Sequence, residues 1–515
     1  MAEGEKSAPT EEGRSWLRRR LAELLGRGAR GDVIAAYVGP NARDVIVGKN
    51  IVKVGTLVVP TLPLLALLAV VVSALGFWGA NFLGPAKMSS TYNVAVAGIG
   101  QLDTAGRMHR SELGELSGGW IFEDLVDQND KQAVVNRVEI WHDSLPITQK
   151  RVRLGFIAGA TPEERAAAAE ALAARVRADV VIYGYLSPDS AAPELIVEFY
   201  VSSRLSGESA EIIGRYQLGD PIPVPPHFDV NDSLAKEKLG SLVATRGAAA
   251  FWLVLGLRDD LLGEPAKALA VLQQAEQQLP LWKPRGEGKE ILYYLMGREA
   301  LFLERDEQAE EAAARALDSN PGYARAEIVM GGVYLRRAKQ ALAPDGAGVD
   351  ESLRLSDVAI GHYGRALQPA PASAGPLIET VARLALGSAY YLQGEAYLIL
   401  DDVEAAGRLF GQTVAEVEPL LAPLDQAGQH RLLAQAYGYL GMALYQQGWL
   451  SVAHGNQAAG RALYEQARDA YARCLEQGQA APEDDLLRSG TIAESCRRNS
   501  AAAEQALSSL EGNDP

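Results

Sequence analysis

The sequence predicts a multi-domain α+β chain: one transmembrane helix, a small α/β domain and an α-solenoid of helical hairpins. Three observations predict it. Between Lys53 and Lys87 no residue is charged, and Leu57 to Leu83 inside that gap is almost wholly apolar. From Tyr92 to Val201 short β-branched runs alternate with helical patterns. From about Thr245 onward, glycine, alanine, aromatic and proline residues recur at fixed offsets.

A helix crossing a hydrocarbon core of ~30 Å needs about 20 mostly apolar residues, which the first stretch supplies. It is too long, and begins too late, for a cleaved secretory signal, whose apolar region is typically ~7 to 15 residues. It therefore reads as a retained anchor. Lys6, Arg14, Arg18, Arg19, Arg20, Arg27, Arg30, Arg43, Lys49 and Lys53 precede it, whereas only Lys87 and then Arg107 follow closely. The excess of basic residues predicts a cytoplasmic amino terminus, with 89–515 on the far side of the cell membrane of a single-pass, bacterial-type protein. Trp78 and Phe82 fall where an interfacial aromatic belt is expected.

With 515 residues, the chain beyond its anchor has room for about three domains. Its formal charge of -16 argues against nucleic acid as a partner, because phosphate contacts need clustered cations. The two cysteines, Cys474 and Cys496, are candidates for a disulfide or for two buried thiols. No Cys/His spacing suits a zinc site, and His109, His142, His227, His362, His430 and His454 never fall at ligand spacing on one helix.

Ahead of the anchor, Ser15 to Gly26 places Trp16, Leu17, Leu21, Leu24 and Leu25 on one side of a helix, with Arg18, Arg19, Arg20 and the preceding Arg14 around the rest. Such a helix lies on an anionic leaflet or packs on its own neighbour. Two β-branched runs within 32–54, separated by Gly-Pro-Asn-Ala, carry a hairpin signal, read either as a self-association motif or as a juxtamembrane connector. Its glycine and asparagine spacing resembles short amino-terminal motifs of bacterial signalling proteins that self-associate through β-strands.

Within 90–220, strands are expected at Tyr92 to Gly98, Arg137 to Trp141, Val152 to Ala158, Asp179 to Leu186 and Glu194 to Val201. A helix over 112–128 offers Leu113, Leu116, Trp120, Leu125 and Val126 as its buried face. The next helix has a capping box: Thr161 at the cap, Pro162 in the first turn, Glu164 three after the threonine. His142, Asp143 and Ser144 are adjacent, but adjacency aims side chains apart and does not assemble a nucleophile with its base. Gly98 and Gly100 follow the first strand without the remainder of a phosphate-loop motif. The order of elements, the Tyr-Asn-Val-Ala-Val-Ala opening and the Arg-Ala-Asp-Val-Val-Ile-Tyr-Gly-Tyr-Leu run resemble the amino-terminal α/β domain of the TolB translocation protein. That resemblance implies a domain for protein contacts. Pro221 to Pro226 suggest that 221–243 is a stiff linker.

The recurring pattern over 244–482 resembles the tetratricopeptide repeat. The first copy has Trp252, Leu255, Gly256, Ala268, Leu272, Ala275 and Pro280, with Asp259 where tyrosine is usual. The second has Tyr293, Met296, Gly297, Ala309, Ala316 and Pro321. A third opens with Met330, Gly331 and Tyr334 and resumes about 16 residues late, at Ala359, Tyr363, Ala366 and Pro371. The fourth has Tyr390, Gly394, Tyr397, Ala406, Phe410 and Thr413; the fifth has Tyr437, Leu440, Gly441 and, after an overlong connection, Ala467, Tyr471 and Cys474. A closing helix is expected within 483–515, because the last repeat would otherwise expose an apolar face.

Such repeats stack so that each first helix lines a concave face, where the family usually holds a partner's peptide. By position, Tyr294, Arg298, Arg325, Arg336, Tyr391, Glu395 and Tyr445 should point there. The expectation is a membrane-anchored scaffold that binds proteins or peptides, with no catalysis and no cofactor. The competing expectation is a sensor whose α/β domain binds a small ligand and controls assembly.

Overall fold

Side chains that alternate across a strand need cover on both faces of the sheet, and helices within 112–261 supply it. The structure, a computed structural model, describes residues 51–54, 57–60, 87–131, 138–143, 153–187, 193–204, 212–225, 228–229, 231–277, 288–342, 347–368, 377–481 and 490–511. It divides into two units, 1–84 and 85–515.

In the first unit, β1 (Ile51–Val54) pairs antiparallel with β2 (Leu57–Pro60), with Val54 opposite Leu57. Two expectations are corrected. Residues 51–54 pair with 57–60, and the first residues of the apolar stretch are extended, not helical. The physical reason is local: valine and isoleucine favour extended backbone, and Pro60 disfavours a helix in the residue before it. The basic helix over 15–26, the rest of the expected hairpin and the rest of the span up to Leu83 lie outside the described residues.

The second unit opens with a mixed sheet ordered β4-β3-β6-β7-β8, in which β5 also pairs with β3 and β9 with β7. Its strands are β3 (Asn93–Leu102), β4 (Met108–Arg110), β5 (Glu139–His142), β6 (Val180–Ser187), β7 (Glu194–Val201), β8 (Gly214–Gln217) and β9 (Ile222–Pro223). β3 runs parallel to β5 and β6, and the rest pair antiparallel. Val94, Val96, Val180 and Ile182 point to α1 (Glu112–Lys131) and α3 (Ser233–Leu261). Ala95, Ala97, Val181 and Tyr183 point to α2 (Pro162–Val176). The sheet is therefore filled on both faces.

The capping box forms as expected: Thr161 accepts from the Glu164 amide while Glu164 reaches back to the cap backbone. The buried face of α1 differs from expectation. Gly114, Ser117 and Gly118 lie with Ile121 and Leu125 against the sheet, while Leu113 and Trp120 are only partly buried. Small residues win because the helix crosses β3 closely: a β-carbon at Gly114 would stand 2.0 Å from the Ile99 carbonyl oxygen. Residues 153–158 form no strand; Phe156 makes a single bridge to Gly98. Gly98 and Gly100 lie inside β3, not in a loop.

The expected linker over 221–243 is structured. Ile222–Pro223 completes the sheet beside β7, and α3 begins at Ser233, where Asp232 caps two amides. Within α3, 233–260 is long and apolar enough to cross a membrane, with mean hydropathy 1.4, the one such helix among the described residues. Leu239, Val243, Phe251, Leu253, Val254 and Leu255 bury that apolar surface in the protein core.

Five helical hairpins follow: α3 with α4 (Pro265–Gln277), α5 (Lys289–Phe302) with α6 (Asp306–Ser319), α7 (Ala324–Ala341) with α8 (Val349–Ala366), α9 (Ile378–Ile399) with α10 (Val403–Val417), and α12 (His430–Ala453) with α13 (Gln457–Ala480). Short α11 (Leu421–Gln426) joins the last two hairpins, and α14 (Thr491–Glu511) closes the array. The register rests on packing. A β-carbon at Gly256, Gly331, Gly394 or Gly441 would stand within 2.4 to 2.6 Å of Leu272, Tyr363, Phe410 or Tyr471 respectively. Each glycine thus lets a large side chain of the second helix pass over the first.

The connection expected to be overlong in the fifth repeat is not a loop. α12 runs twelve residues past Gly441, and α13 takes fourteen to reach Tyr471 from Gln457. In the fourth repeat the corresponding lengths are five and seven. The extra residues add about two turns to each helix at ~3.6 residues per turn. The third repeat is lengthened similarly, with α7 ending ten residues past Gly331 and α8 taking fourteen to reach Tyr363.

Candidate functional site

The inner face of the array is formed by the first helices, and its two ends are occupied differently. Along the front half lies part of the sheet. Arg325 of α7 donates to the Ile213 carbonyl oxygen at 3.2 Å and stands over the Tyr216 ring at 4.9 Å. Arg246 of α3 donates to the Asp220 carbonyl oxygen at 3.0 Å. Gly288, at the start of α5, has φ +88 and lies so close to the sheet that a β-carbon would meet the Gln217 carbonyl oxygen at 2.3 Å. Only glycine satisfies both conditions. Ile213 joins the apolar cluster of the later repeats, with Leu384 and Leu432. Residues 212–220, β8 with its flanking turns, are thus a stretch of polypeptide held against the first helices by the chain itself.

This corrects three of the expected groove residues. Tyr294, Arg298 and Arg325 are only 1%, 4% and 1% exposed. Tyr294 meets Tyr323 edge-to-face at 6.2 Å, and Arg298 pairs with Asp260 and Glu299 and covers the Phe302 ring. Burial and the negative charge of Asp260 raise the Glu299 pKa, against the pull of Arg298. Arg336 pairs with Asp306 at 3.2 Å and donates to the Leu301 carbonyl oxygen, bracing neighbouring repeats. Sequence position aimed these side chains inward but could not show that another part of the chain fills the space.

The other three, Tyr391, Glu395 and Tyr445, come together. They line a cavity of about 760 Å³ among α7, α9, α12, α13 and α14. Tyr439, Tyr471, Leu335, Leu392, Met442 and Ile492 supply much of its wall, and Lys339 and Arg498 lie in its lining as exposed side chains. The Tyr391 hydroxyl donates to Glu395 at 2.9 Å, with the Gln446 amide 3.5 Å from the same hydroxyl. Burial holds the Glu395 carboxyl above the usual range, although Tyr391 and Lys339 pull it down. The ring of Tyr445 rests on Tyr464 and that of Tyr391 on Phe410, which fixes both.

Sequence position did not assign Tyr439, Met442 or Tyr471 to the groove, nor the contribution of α14. Gly438 and Met442 occupy in the fifth repeat the places of Tyr391 and Glu395 in the fourth, a spacing that could have found Met442 but not the two tyrosines. Cys474 of α13 and Cys496 of α14 form a disulfide, and Cys496 lines the cavity. The closing helix is thereby stapled beside the groove.

His142 is buried and stacks on Phe122 at 5.3 Å, and burial lowers its pKa. Asp143 instead accepts from the Leu154 and Gly155 amides. Asp143 braces the loop at 154–155, and His142 packs between strand and helix. Among the described residues no group of three or more His, Cys, Asp or Glu could hold a metal ion.

No family model and no curated protein matches the chain. Among solved structures it is similar to a thermophilic tetratricopeptide-repeat protein of Thermus thermophilus, at 18% identity over 50% of this chain and 100% of that one, TM-score 0.29. It is also similar to a Rap protein complexed with competence and sporulation factor, at 13% identity over 55% and 90%, TM-score 0.25. A third is PilW, a type IV pilus biogenesis factor, at 14% identity over 47% and 97%, TM-score 0.23.

Proposed function

We propose that this chain is a scaffold that binds polypeptide segments of partner proteins in the inner face of its helical array. The observation that carries the reading is the cavity of about 760 Å³ on the first helices of the later repeats. It continues a face on which the earlier repeats hold residues 212–220 through backbone and aromatic contacts. A surface that grips one extended stretch has the chemistry to grip another. The sensor alternative has less support, since both faces of the sheet are packed with apolar side chains. Protein contact is also what the TolB-like reading of 92–220 implies, and the sheet makes one such contact within its own chain.

The proposal includes membrane anchorage through residues 57–83, of which 61–83 would form the span, and an extracytoplasmic array. The disulfide favours an oxidising compartment. Tethering would raise the local concentration of the groove for other membrane-bound proteins. Self-association through 32–54 stays a further proposal.

A photo-crosslinking amino acid at Met442, inside the cavity, tests the binding reading against the same residue at exposed Arg354. Protein adducts should form at 442, and Leu392→Trp, which narrows the cavity, should reduce them. Equal labelling at both sites would overturn the reading. Protease treatment of spheroplasts tests topology: digestion of the array, leaving a small amino-terminal remnant, is expected, and protection reverses the orientation.

A further inference from the structure

The cavity has a chemical character that a general peptide groove does not require. Four of its lining residues are tyrosines, Tyr391, Tyr439, Tyr445 and Tyr471, and its lining holds one carboxylate, Glu395. Tyrosine faces carry negative potential and attract cations, by about 0.5–1 kcal/mol in exposed sites and more where water is excluded. The carboxylate is only partly answered. One oxygen accepts from Tyr391, while Lys339 acts on it through the field without an ion pair and keeps an exposed position.

We propose that this cavity takes the lysine or arginine side chain of a basic partner segment, with its cation against Glu395 and its alkyl stem between the tyrosines. The inference deepens the polypeptide-binding reading and rests on it. A half-buried carboxylate with one hydrogen bond and no ion pair loses solvation that is only partly replaced, and a ligand cation restores it. Leu335, Leu392, Met442 and Ile492 provide apolar surface for neighbouring side chains of the same segment. The space, about 760 Å³, exceeds what one side chain fills and suits a short stretch of peptide. The formal charge of -16 adds a long-range preference for basic partners. Arg498 and Lys339, both exposed, can turn towards acidic residues flanking the bound cation.

The test uses the full chain and fluorescein-labelled octapeptides in one alanine, leucine and glycine background, differing at a central lysine, arginine, citrulline or glutamate. Lysine and arginine peptides should bind at least tenfold more tightly than the other two. Glu395→Gln should bring all four within about twofold of one another, with an unchanged melting temperature. Tyr445→Leu should weaken the lysine and arginine peptides more than the citrulline peptide, which covers the case in which Glu395→Gln misfolds. Equal binding of citrulline and arginine peptides by the unmodified chain, or a preference surviving in Glu395→Gln, overturns the proposal. If no peptide binds, calorimetry with millimolar methylguanidinium separates the two readings. Heat lost in Glu395→Gln supports the cation site while sinking the polypeptide groove; no heat with the unmodified chain overturns both.

Discussion

Arg298 and Glu395 occupy the same place in two copies of one pattern, each following the glycine that lets two helices touch, yet they meet opposite fates. Arg298 is locked to Asp260 and Glu299 and lies 4% exposed. Glu395 borders a cavity with a single hydrogen bond. Tyr294 and Tyr391, three residues before those glycines, divide the same way. Residues 212–220 fill the front of the inner face and reach Leu384 and Leu432, while the space around Glu395 is open. Repeats of one geometry become structural or functional according to what else the chain lays on them.

Several substitutions would break or sharpen this contrast. Arg325→Ala should have the largest effect, because it leaves the Ile213 carbonyl oxygen and the rings of Tyr216 and Tyr323 around an emptied buried space. A loss of about 3–5 kcal/mol is expected, read by urea denaturation of the full chain. A loss under about 1 kcal/mol would mean that the sheet contributes little to the array.

Replacing Cys474 and Cys496 together with serine opens a cross-link between residues 22 apart and should cost about 3 kcal/mol on the chain-entropy model. Proteolysis should then release α14 while leaving the front repeats intact. Release of both ends at equal rates would deny the array its separate halves.

Gly394→Ala places a methyl group 2.5 Å from Phe410 and should destabilise by about 1–3 kcal/mol. Gly297→Ala meets its nearest atom at 3.2 Å and should cost less. Comparing their melting temperatures tests whether glycine is required at every copy or only where a large side chain passes over it.

The smallest effect concerns Asp124 of α1, whose carboxylate lies 2.7 Å from where a β-carbon at Gly247 of α3 would be. Burial, then the charge of Asp127, raise its pKa from 3.8 to about 6. The folded state therefore holds this proton more tightly than the unfolded one. Its contribution is fully present below about pH 4 and is lost as pH rises towards about 6. With solvent screening of this half-buried group, the change is on the order of 1–2 kcal/mol. Asp124→Asn should flatten that slope in denaturation midpoints measured from pH 4 to 7. An unaltered slope would assign it elsewhere.

Much of the array was legible because its signals are local. A capping box at Thr161 and Glu164, or a glycine sixteen residues before an aromatic as at Gly394 and Phe410, specifies a contact within one short stretch of chain. The sheet was legible where strands are rich in β-branched and aromatic residues, as in β6 and β7. Four-residue β8 and two-residue β9 were missed because strands so short carry little pattern of their own and form on the edge that β7 offers. The extra residues of the fifth repeat read as a loop because the motif counts residues between landmarks and is blind to whether they continue a helix. Of the seven candidate groove residues, the three in the back half line the cavity and the three most buried do not.

The amino-acid order alone determined the succession of parts, the register of the hairpins and the inward aim of each first helix, since all three follow from contacts between residues near one another in the chain. Folding in three dimensions decided which stretch of that inner face would stay open, how the closing helix would help to wall it, and which inward side chains would find partners. Those outcomes depend on contacts between residues far apart in the chain, as between Ile213 and Arg325, separated by 112 positions. No local pattern encodes them.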